Sequence, residues 1–185
     1  MANKCPEQLE ADKIFLKEMD DIFDGDRTSA AQDRVNRAWG YFYQGHSDSA
    51  MMRFNQAWLL DSSNAEIFWG YGNLLGQQKK FSESLEFFEK ALSINPNNSN
   101  IWLSASSSYG QLFYQSKDKK YLDKTIECLK KSVSLDPNNG SAYGQLTAAY
   151  TYIVQKDSAR KYLQITDQLD PSAINPEVRE MLKEK

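Results

Sequence analysis

Histidine and cysteine, the side chains that most often carry out chemistry in proteins, are scarce in this chain of 185 residues, which has only His46, Cys5 and Cys128. A catalytic base needs an orienting partner and a pocket, but His46 follows Gly45 in a predicted turn with only Asp48 nearby in sequence. A structural zinc site needs about four Cys or His ligands, more than this chain contains. We therefore predict no catalytic residue, no metal site and no cofactor, and we interpret the protein as a non-enzyme.

The remaining chemical motifs are weak. Three nearby lysines could lower the pKa of the Cys128 thiol, but an inert helical cysteine is the simpler interpretation. Asp24 and Asp26 have the spacing that opens a calcium loop, yet Ser29 and Val35 occupy the places that require Gly and Glu. No Gly-rich phosphate loop, GxSxG or HExxH sequence occurs.

The charge balance excludes further classes. The chain has 22 Lys plus Arg and 25 Asp plus Glu, a net charge of -3, which argues against nucleic acid as a partner. It has no apolar run long enough to span a membrane. The N-terminal residues lack the apolar run of a secretory signal, which favours the cytoplasm, whereas a signal sequence removed upstream of Cys5 would place the protein in the cell envelope.

An internal repeat predicts the architecture. Four segments align without gaps, and their starts are separated by 34, 41 and 34 residues. The segments are RFNQAWLLDSSN at 53–64, FFEKALSINPNN at 87–98, CLKKSVSLDPNN at 128–139 and YLQITDQLDPSA at 162–173. Pro96, Pro137 and Pro171 lie near the ends of three segments, where proline disfavours further helix.

Each repeat also has small residues where two helices would cross. We predict that the following are buried: Ala38, Ala50, Ala57, Gly72, Ser84, Ala91, Ser106, Thr125, Ser132, Thr147, Ala159 and Thr166. A period of 34 residues with these small positions and a terminal proline resembles the tetratricopeptide repeat family over residues 31–173.

This resemblance implies an all-α, right-handed solenoid of four helix-turn-helix repeats, with boundaries at 31–64, 65–98, 99–139 and 140–173. Residues 1–30 would form a leader with a helix, and 174–185 a C-terminal capping helix. The expected repeat helices are 30–44, 47–60, 65–78, 82–94, 99–116, 119–134, 141–154 and 157–168. A capping box from Ser29 to Gln32 would begin the first of them.

The family geometry turns one face of each repeat's first helix towards a concave groove. Only Glu66 is charged among the 24 positions that map there, which include Gly70 and Gly144, whereas about six charges are expected by chance. We predict that the partner-binding residues are Trp39, Phe42, Tyr43, Trp69, Asn73, Gln77, Asn100, Ser104, Gln111, Gln145 and Tyr152. Aromatic rings and neutral amides suit an extended, uncharged peptide.

Chaperone-binding members of the family hold a C-terminal carboxylate with Lys, Asn and Arg on these inner faces. Aligned from the first repeat, the matching positions include Val35 and Gly70; aligned from the second, only Asn73 fits. We therefore expect no carboxylate clamp for a chaperone.

The sequence thus predicts a non-catalytic scaffold that binds a peptide segment or protein surface through the groove. The alternative is a structural component of a larger complex, including a cell-envelope lipoprotein assembly, or a homo-oligomer that stacks on itself.

Two flanking features give further expectations. The leader has an apolar face of Ile14, Phe15, Met19, Ile22 and Phe23, which we expect to pack on the first helix pair rather than in the groove. The third repeat has seven extra residues near 114–121, which two extra helical turns would accommodate. Their lysines, together with a neighbouring one, would either form a basic knob of Lys117, Lys119, Lys120 and Lys124 or lie in a solvated loop without a specific role, which is the interpretation that the sequence favours.

Overall fold

The computed structural model describes residues 4–183, which are helical with short connections. The helices are α1 Pro6–Ile22, α2 Arg27–Tyr43, α3 Ser47–Leu60, α4 Ala65–Gln77, α5 Phe81–Ile94, α6 Ser99–Ser116, α7 Lys119–Leu135, α8 Gly140–Tyr152, α9 Lys156–Leu169 and α10 Pro176–Lys183. A short 3-10 turn, Pro171–Ala173, precedes α10. All eight predicted repeat helices are present, with ends within three residues of those expected.

The largest difference is at the start of α2, and its cause is the capping residue. The N-cap of α2 is Asp26, not Ser29. The Asp26 carboxylate accepts hydrogen bonds from the hydroxyl of Ser29 at 2.7 Å and from its backbone N–H at 3.1 Å. These two bonds lower the pKa of Asp26. A carboxylate satisfies a free N–H group of the first turn, so the helix begins at Arg27, three residues earlier than predicted.

The helices pack as consecutive pairs: α2 with α3, α4 with α5, α6 with α7, and α8 with α9. Each pair contacts the next through α3–α4, α5–α6 and α7–α8, which extends the stack into a solenoid. Because each pair contacts mainly its neighbours in sequence, the stability of such a fold is close to a sum of local terms.

All twelve small residues predicted at the helix crossings are buried. Large rings lie against glycines at two of the contacts. A methyl group at Gly70 would overlap the ring of Phe54, and one at Gly72 would overlap the ring of Phe88. Both rings are almost fully buried, so glycine here allows close approach of neighbouring helices.

The leader helix α1 packs on α2 and α3, as expected. Met19 is buried against Ala30, Ala31 and Leu60. Phe15, Leu16 and Phe23 are half-buried around this contact. The apolar face was predicted only in part, however, because Ile14 and Ile22 remain 54% and 65% exposed.

At the other end, α10 contacts α8 and α9 and covers the last pair. Leu182 is buried there, and Val178 is half-buried. The Arg179 guanidinium bonds to the carbonyl of Pro171 at 2.9 Å and to the carboxylate of Asp167.

The extra residues of the third pair lengthen both of its helices. Helices α6 and α7 have 18 and 17 residues, compared with 13 or 14 in α3, α4, α5, α8 and α9. The predicted basic knob is wrong, because three of its lysines are paired with carboxylates. The pairs are Lys119–Asp123 at 2.8 Å, Lys120–Asp118 at 3.1 Å and Lys124–Glu127 at 2.9 Å.

The turn inside each helix pair contains one residue in the left-handed region. These residues are Gly45, Lys79, Lys117 and Val154, with φ of 79°, 61°, 57° and 60°. Glycine adopts this conformation without a steric penalty, whereas other L-residues pay about 1–2 kcal/mol. Val154 is β-branched and 73% exposed, so it is strained here without a compensating buried contact.

We therefore expect Val154→Gly to stabilise the protein by about 1 kcal/mol, because it removes backbone strain and little packing. The matched control is Gly45→Val, which places a valine at the equivalent left-handed position in the turn of the first helix pair. It should destabilise the protein by a similar amount. Urea unfolding monitored by circular dichroism measures both changes. A Val154→Gly variant that unfolds at lower urea concentration than the wild type would contradict this view of the turn.

Candidate binding groove

The concave side of the solenoid contains a cavity of about 450 Å³. It is formed by α2, α4, α6 and α8 together with two residues of α5. The lining residues are Phe42, Gly72, Asn73, Gly76, Gln77, Phe81, Phe88, Leu103, Ser104, Ser107, Ser108, Gln111 and Gln145. Six of the eleven predicted groove residues lie together here: Phe42, Asn73, Gln77, Ser104, Gln111 and Gln145.

Hydrogen bonds orient several of these polar groups. The indole N–H of Trp69 donates to Ser104 Oγ at 2.9 Å and so links α4 to α6. The side-chain amide of Asn73 donates to the backbone carbonyl of Trp69 at 2.8 Å. An amide side chain has two donors and an acceptor oxygen, so Asn73 keeps capacity for a ligand.

Three of the aromatic residues predicted in the groove, Phe42, Tyr43 and Trp69, pack around Trp39. Its ring centroid lies 4.5 Å from that of Trp69, 5.3 Å from Phe42 and 5.4 Å from Phe54. The Trp39 indole N–H is buried and has no hydrogen-bond partner among residues 4–183. Trp39 is thus half-buried against the core ring of Phe54, and Trp69, also half-buried, packs on Trp39; neither belongs to the lining of the cavity.

The remaining three predicted residues also lie outside the lining of the cavity. Tyr43 stacks on Trp39 at 5.9 Å but leaves 76% of its surface exposed. Asn100 is exposed in the first turn of α6, and Tyr152 contacts the ring edge of Phe113 at 5.0 Å near the end of α8.

The prediction also missed part of the lining. Phe81 and Phe88 belong to α5, the second helix of its pair, so a rule that assigns the groove to first helices leaves them out. Ser108 completes this wall and accepts a hydrogen bond from Ser84 at 2.8 Å. Conversely, Gly70 and Gly144 were mapped to the inner face but are buried, because Phe54 covers the first and the backbone of Ala173 covers the second.

The cavity is electrically neutral. Among the described residues, none of those that line it carries a charge at neutral pH. Glu66, the one charged residue predicted on the inner face, is half-buried in the first turn of α4 outside this lining. The site can therefore offer hydrogen bonds and ring surfaces, but no ion pair.

The side chains considered for chemistry lie elsewhere. His46 precedes α3 at the first turn, with its ring 6.3 Å from that of Tyr41. Burial and the charge of Glu127 raise the pKa of the Cys128 thiol to about 12, in agreement with an inert cysteine. Within residues 4–183, no group of three His, Cys, Asp or Glu side chains is arranged to hold a metal ion.

Comparison with known proteins identifies the architecture. The sequence model of the tetratricopeptide repeat matches residues 72–98. No curated protein matches the chain in sequence. No helix in the described part combines the length and apolar character needed to cross a bilayer.

Solved structures resemble the chain over most of its length. A thermophilic tetratricopeptide protein of Thermus thermophilus is 20% identical, with a TM-score of 0.67 over 82% of this chain and 79% of that one. MamA is 16% identical, with a TM-score of 0.64 over 92% and 96%. The first such domain of Spaghetti (RPAP3), bound to an HSP90 peptide, is 18% identical, with a TM-score of 0.59 over 69% and 95%. The matched sequence shows that residues 72–98 contain a tetratricopeptide repeat, and the structural similarities show that the chain has the helical solenoid fold of tetratricopeptide repeat proteins.

The packing of Trp39 leads to a stability prediction. Trp39→Ala removes ring contacts with Phe54 and Trp69, so it should destabilise by about 2–3 kcal/mol, somewhat less than truncation of a fully buried ring. Tyr43→Ala is the matched control in the same helix, and its 76% exposure predicts a change within about 0.5 kcal/mol. Equal, small changes in urea unfolding for both variants would show that Trp39 is not structural.

Proposed function

We propose that the protein is a non-catalytic interaction scaffold whose groove binds an extended, uncharged peptide segment of a partner protein. The observation that supports this most directly is the neutral cavity lined by amide, hydroxyl and aromatic groups. The tetratricopeptide fold is generally an interaction module, and no enzyme family matches the chain.

The chemistry of the lining favours a peptide backbone as the ligand. Extended backbone exposes N–H donors and C=O acceptors in turn, and Asn and Gln side chains can satisfy both. A charged ligand would lose its hydration here without gaining an opposite charge, and this desolvation opposes binding. The neutral lining therefore selects against acidic and basic segments.

Each predicted residue has a role in this proposal. Asn73, Gln77, Ser104, Gln111 and Gln145 hydrogen-bond the peptide backbone, and Phe42 contacts an apolar side chain. Trp39 packs against the ring of Phe42 and holds it in place, and Trp69 packs on Trp39. Tyr43, Asn100 and Tyr152 lie beyond the cavity, where a longer peptide would contact them.

The same geometry argues against a carboxylate clamp of the chaperone type. Val35 is fully buried and Phe54 covers Gly70, so neither of these positions can present a group to a ligand. The similar Spaghetti domain is bound to an HSP90 peptide, but the lining of this cavity provides no Lys or Arg for a terminal carboxylate.

A charge placed in the groove tests the proposal. Gln111→Glu puts a carboxylate in the lining, and the control Gln115→Glu puts one at an exposed position one turn further along α6. Peptides selected from a random phage-displayed library against the wild type should be uncharged, with an aromatic or branched apolar residue. Their binding should weaken at least tenfold in Gln111→Glu, about 1.4 kcal/mol or more, and stay within twofold in the control.

The measurement is fluorescence anisotropy of the selected peptides, labelled at the N-terminus. Enrichment of acidic peptides, or equal weakening by the two variants, would contradict a neutral peptide groove. Both variants should melt close to the wild type, because the altered residues are exposed.

Self-association is the second candidate function, and the exposed apolar residues of the leader favour it. Leu9, Ile14 and Ile22 are 49%, 54% and 65% exposed on α1. A second copy that covered these side chains would remove their apolar surface from water, which favours association.

If α1 mediates contact between copies, the sedimentation coefficient of the wild type should rise with concentration, and Ile14→Lys with Ile22→Lys should abolish the rise. The control is Met181→Lys, which changes a residue that is 52% exposed at the other end of the solenoid. A monomer at all concentrations in analytical ultracentrifugation would exclude this candidate.

A further inference from the structure

The first helix pair departs from the other three at two aligned positions. The fourth residue of each predicted repeat is Arg34, Phe68, Trp102 or Tyr143. The first residue of each aligned second-helix segment is Arg53, Phe87, Cys128 or Tyr162. The first pair therefore has two arginines where the others have rings or a thiol.

In the other pairs, these two positions belong to shared apolar surroundings. The rings of Tyr143 and Tyr162 lie 6.1 Å apart. Trp102 and Cys128 line one mainly apolar cavity of about 360 Å³ between their helices. Phe68 and Phe87 belong to one hydrophobic cluster. The repeat thus normally uses these positions for packing.

In the first pair, the same positions place arginines on two helices, α2 and α3, that pack against each other. Only 12% of the Arg34 side chain is exposed, and the Nε atoms of Arg34 and Arg53 are both buried without a hydrogen bond. Burial lowers the pKa of Arg34, and the charges of Arg37 and Arg53 lower it further against the opposing effect of Asp33. Burying like charges is unfavourable unless an anion compensates them.

The protein supplies only part of that compensation. Asp33 Oδ2 lies 2.9 Å from Arg37 Nε and 3.3 Å from Arg34 Nε, so one carboxylate serves two arginines. Arg53 donates from Nη1 to the neutral amide oxygen of Gln56 at 2.7 Å. Among residues 4–183, the ion pairs therefore leave an excess of two positive charges in this group of three arginines.

We propose that Arg34, Arg37 and Arg53 form a binding site for a phosphate group on the first helix pair. A phosphate dianion matches the two excess charges, and the planar guanidinium fork suits its oxygens. The Arg37 side chain is 57% exposed, which opens the cluster to solvent. The site is separate from the neutral groove and does not depend on the function proposed for it.

The first test restores the apolar contact of the other repeats with the double variant Arg34→Phe, Arg53→Phe. In chloride buffer, this variant should melt above the wild type, because it removes an uncompensated charge pair. Inorganic phosphate at 10 mM and constant ionic strength should raise the wild-type melting temperature by about 3–6 °C for a Kd near 1 mM. The same phosphate addition should leave the melting temperature of the double variant nearly unchanged.

The control Arg160→Gln removes one positive charge from α9, far from the cluster in the fold, and should retain the full phosphate shift. Phosphate also stabilises proteins by exclusion from their surface. Equal shifts in the wild type and the double variant would indicate that general effect and overturn the proposal.

Arg37→Gln provides a second test that does not alter the buried pair. By isothermal titration calorimetry, it should weaken inorganic phosphate binding about tenfold, which corresponds to loss of one charge-assisted contact. A phosphoserine peptide measured against its unmodified form distinguishes the source of the group. Tighter binding of the phosphopeptide assigns the site to a modified protein, and affinity equal to that of inorganic phosphate assigns it to the free ion. Failure of both ligands to bind the wild type would overturn the proposal.

Discussion

The fold depends on close approach between neighbouring helices, where a large ring of one helix lies against a residue without a side chain on the next. Phe54 over Gly70 and Phe88 over Gly72 show this contact most clearly. Because there is no room for even one more methyl group, the helices can stack only in this register. The stack in turn fixes which face of α4 and α6 is turned towards the groove.

The groove is lined by side chains that the stacking of the helices does not bury completely. Trp39 packs on Phe54 and on Trp69, so these rings contribute to the fold. The amides of Gln111 and Gln145 lie on the cavity wall, where they are available to a ligand. The neutral lining and the hydrogen bond from Trp69 to Ser104 give an ordered, uncharged surface, and our proposal that the groove binds peptide backbone rests on this surface.

The first helix pair differs from the other three in the side chains at two packing positions. Three of the four pairs use apolar side chains where this pair has Arg34 and Arg53. A local departure from the packing rule, with a cost in desolvation and no evident gain within the described chain, is where a role other than folding is expected. The excess positive charge defines that role as anion binding.

The sequence by itself determined the helices, their pairing and the burial of all twelve small residues, because these follow from local periodicity and a repeat of about 34 residues. It also selected six of the residues that meet in the cavity. Only the tertiary structure decided that Asp26 caps α2, that carboxylates neutralise the lysines of the third pair, and that Phe81 lines the groove. The cap and the ion pairs depend on side-chain directions, and the place of Phe81 depends also on distances between helices, neither of which a one-dimensional pattern contains.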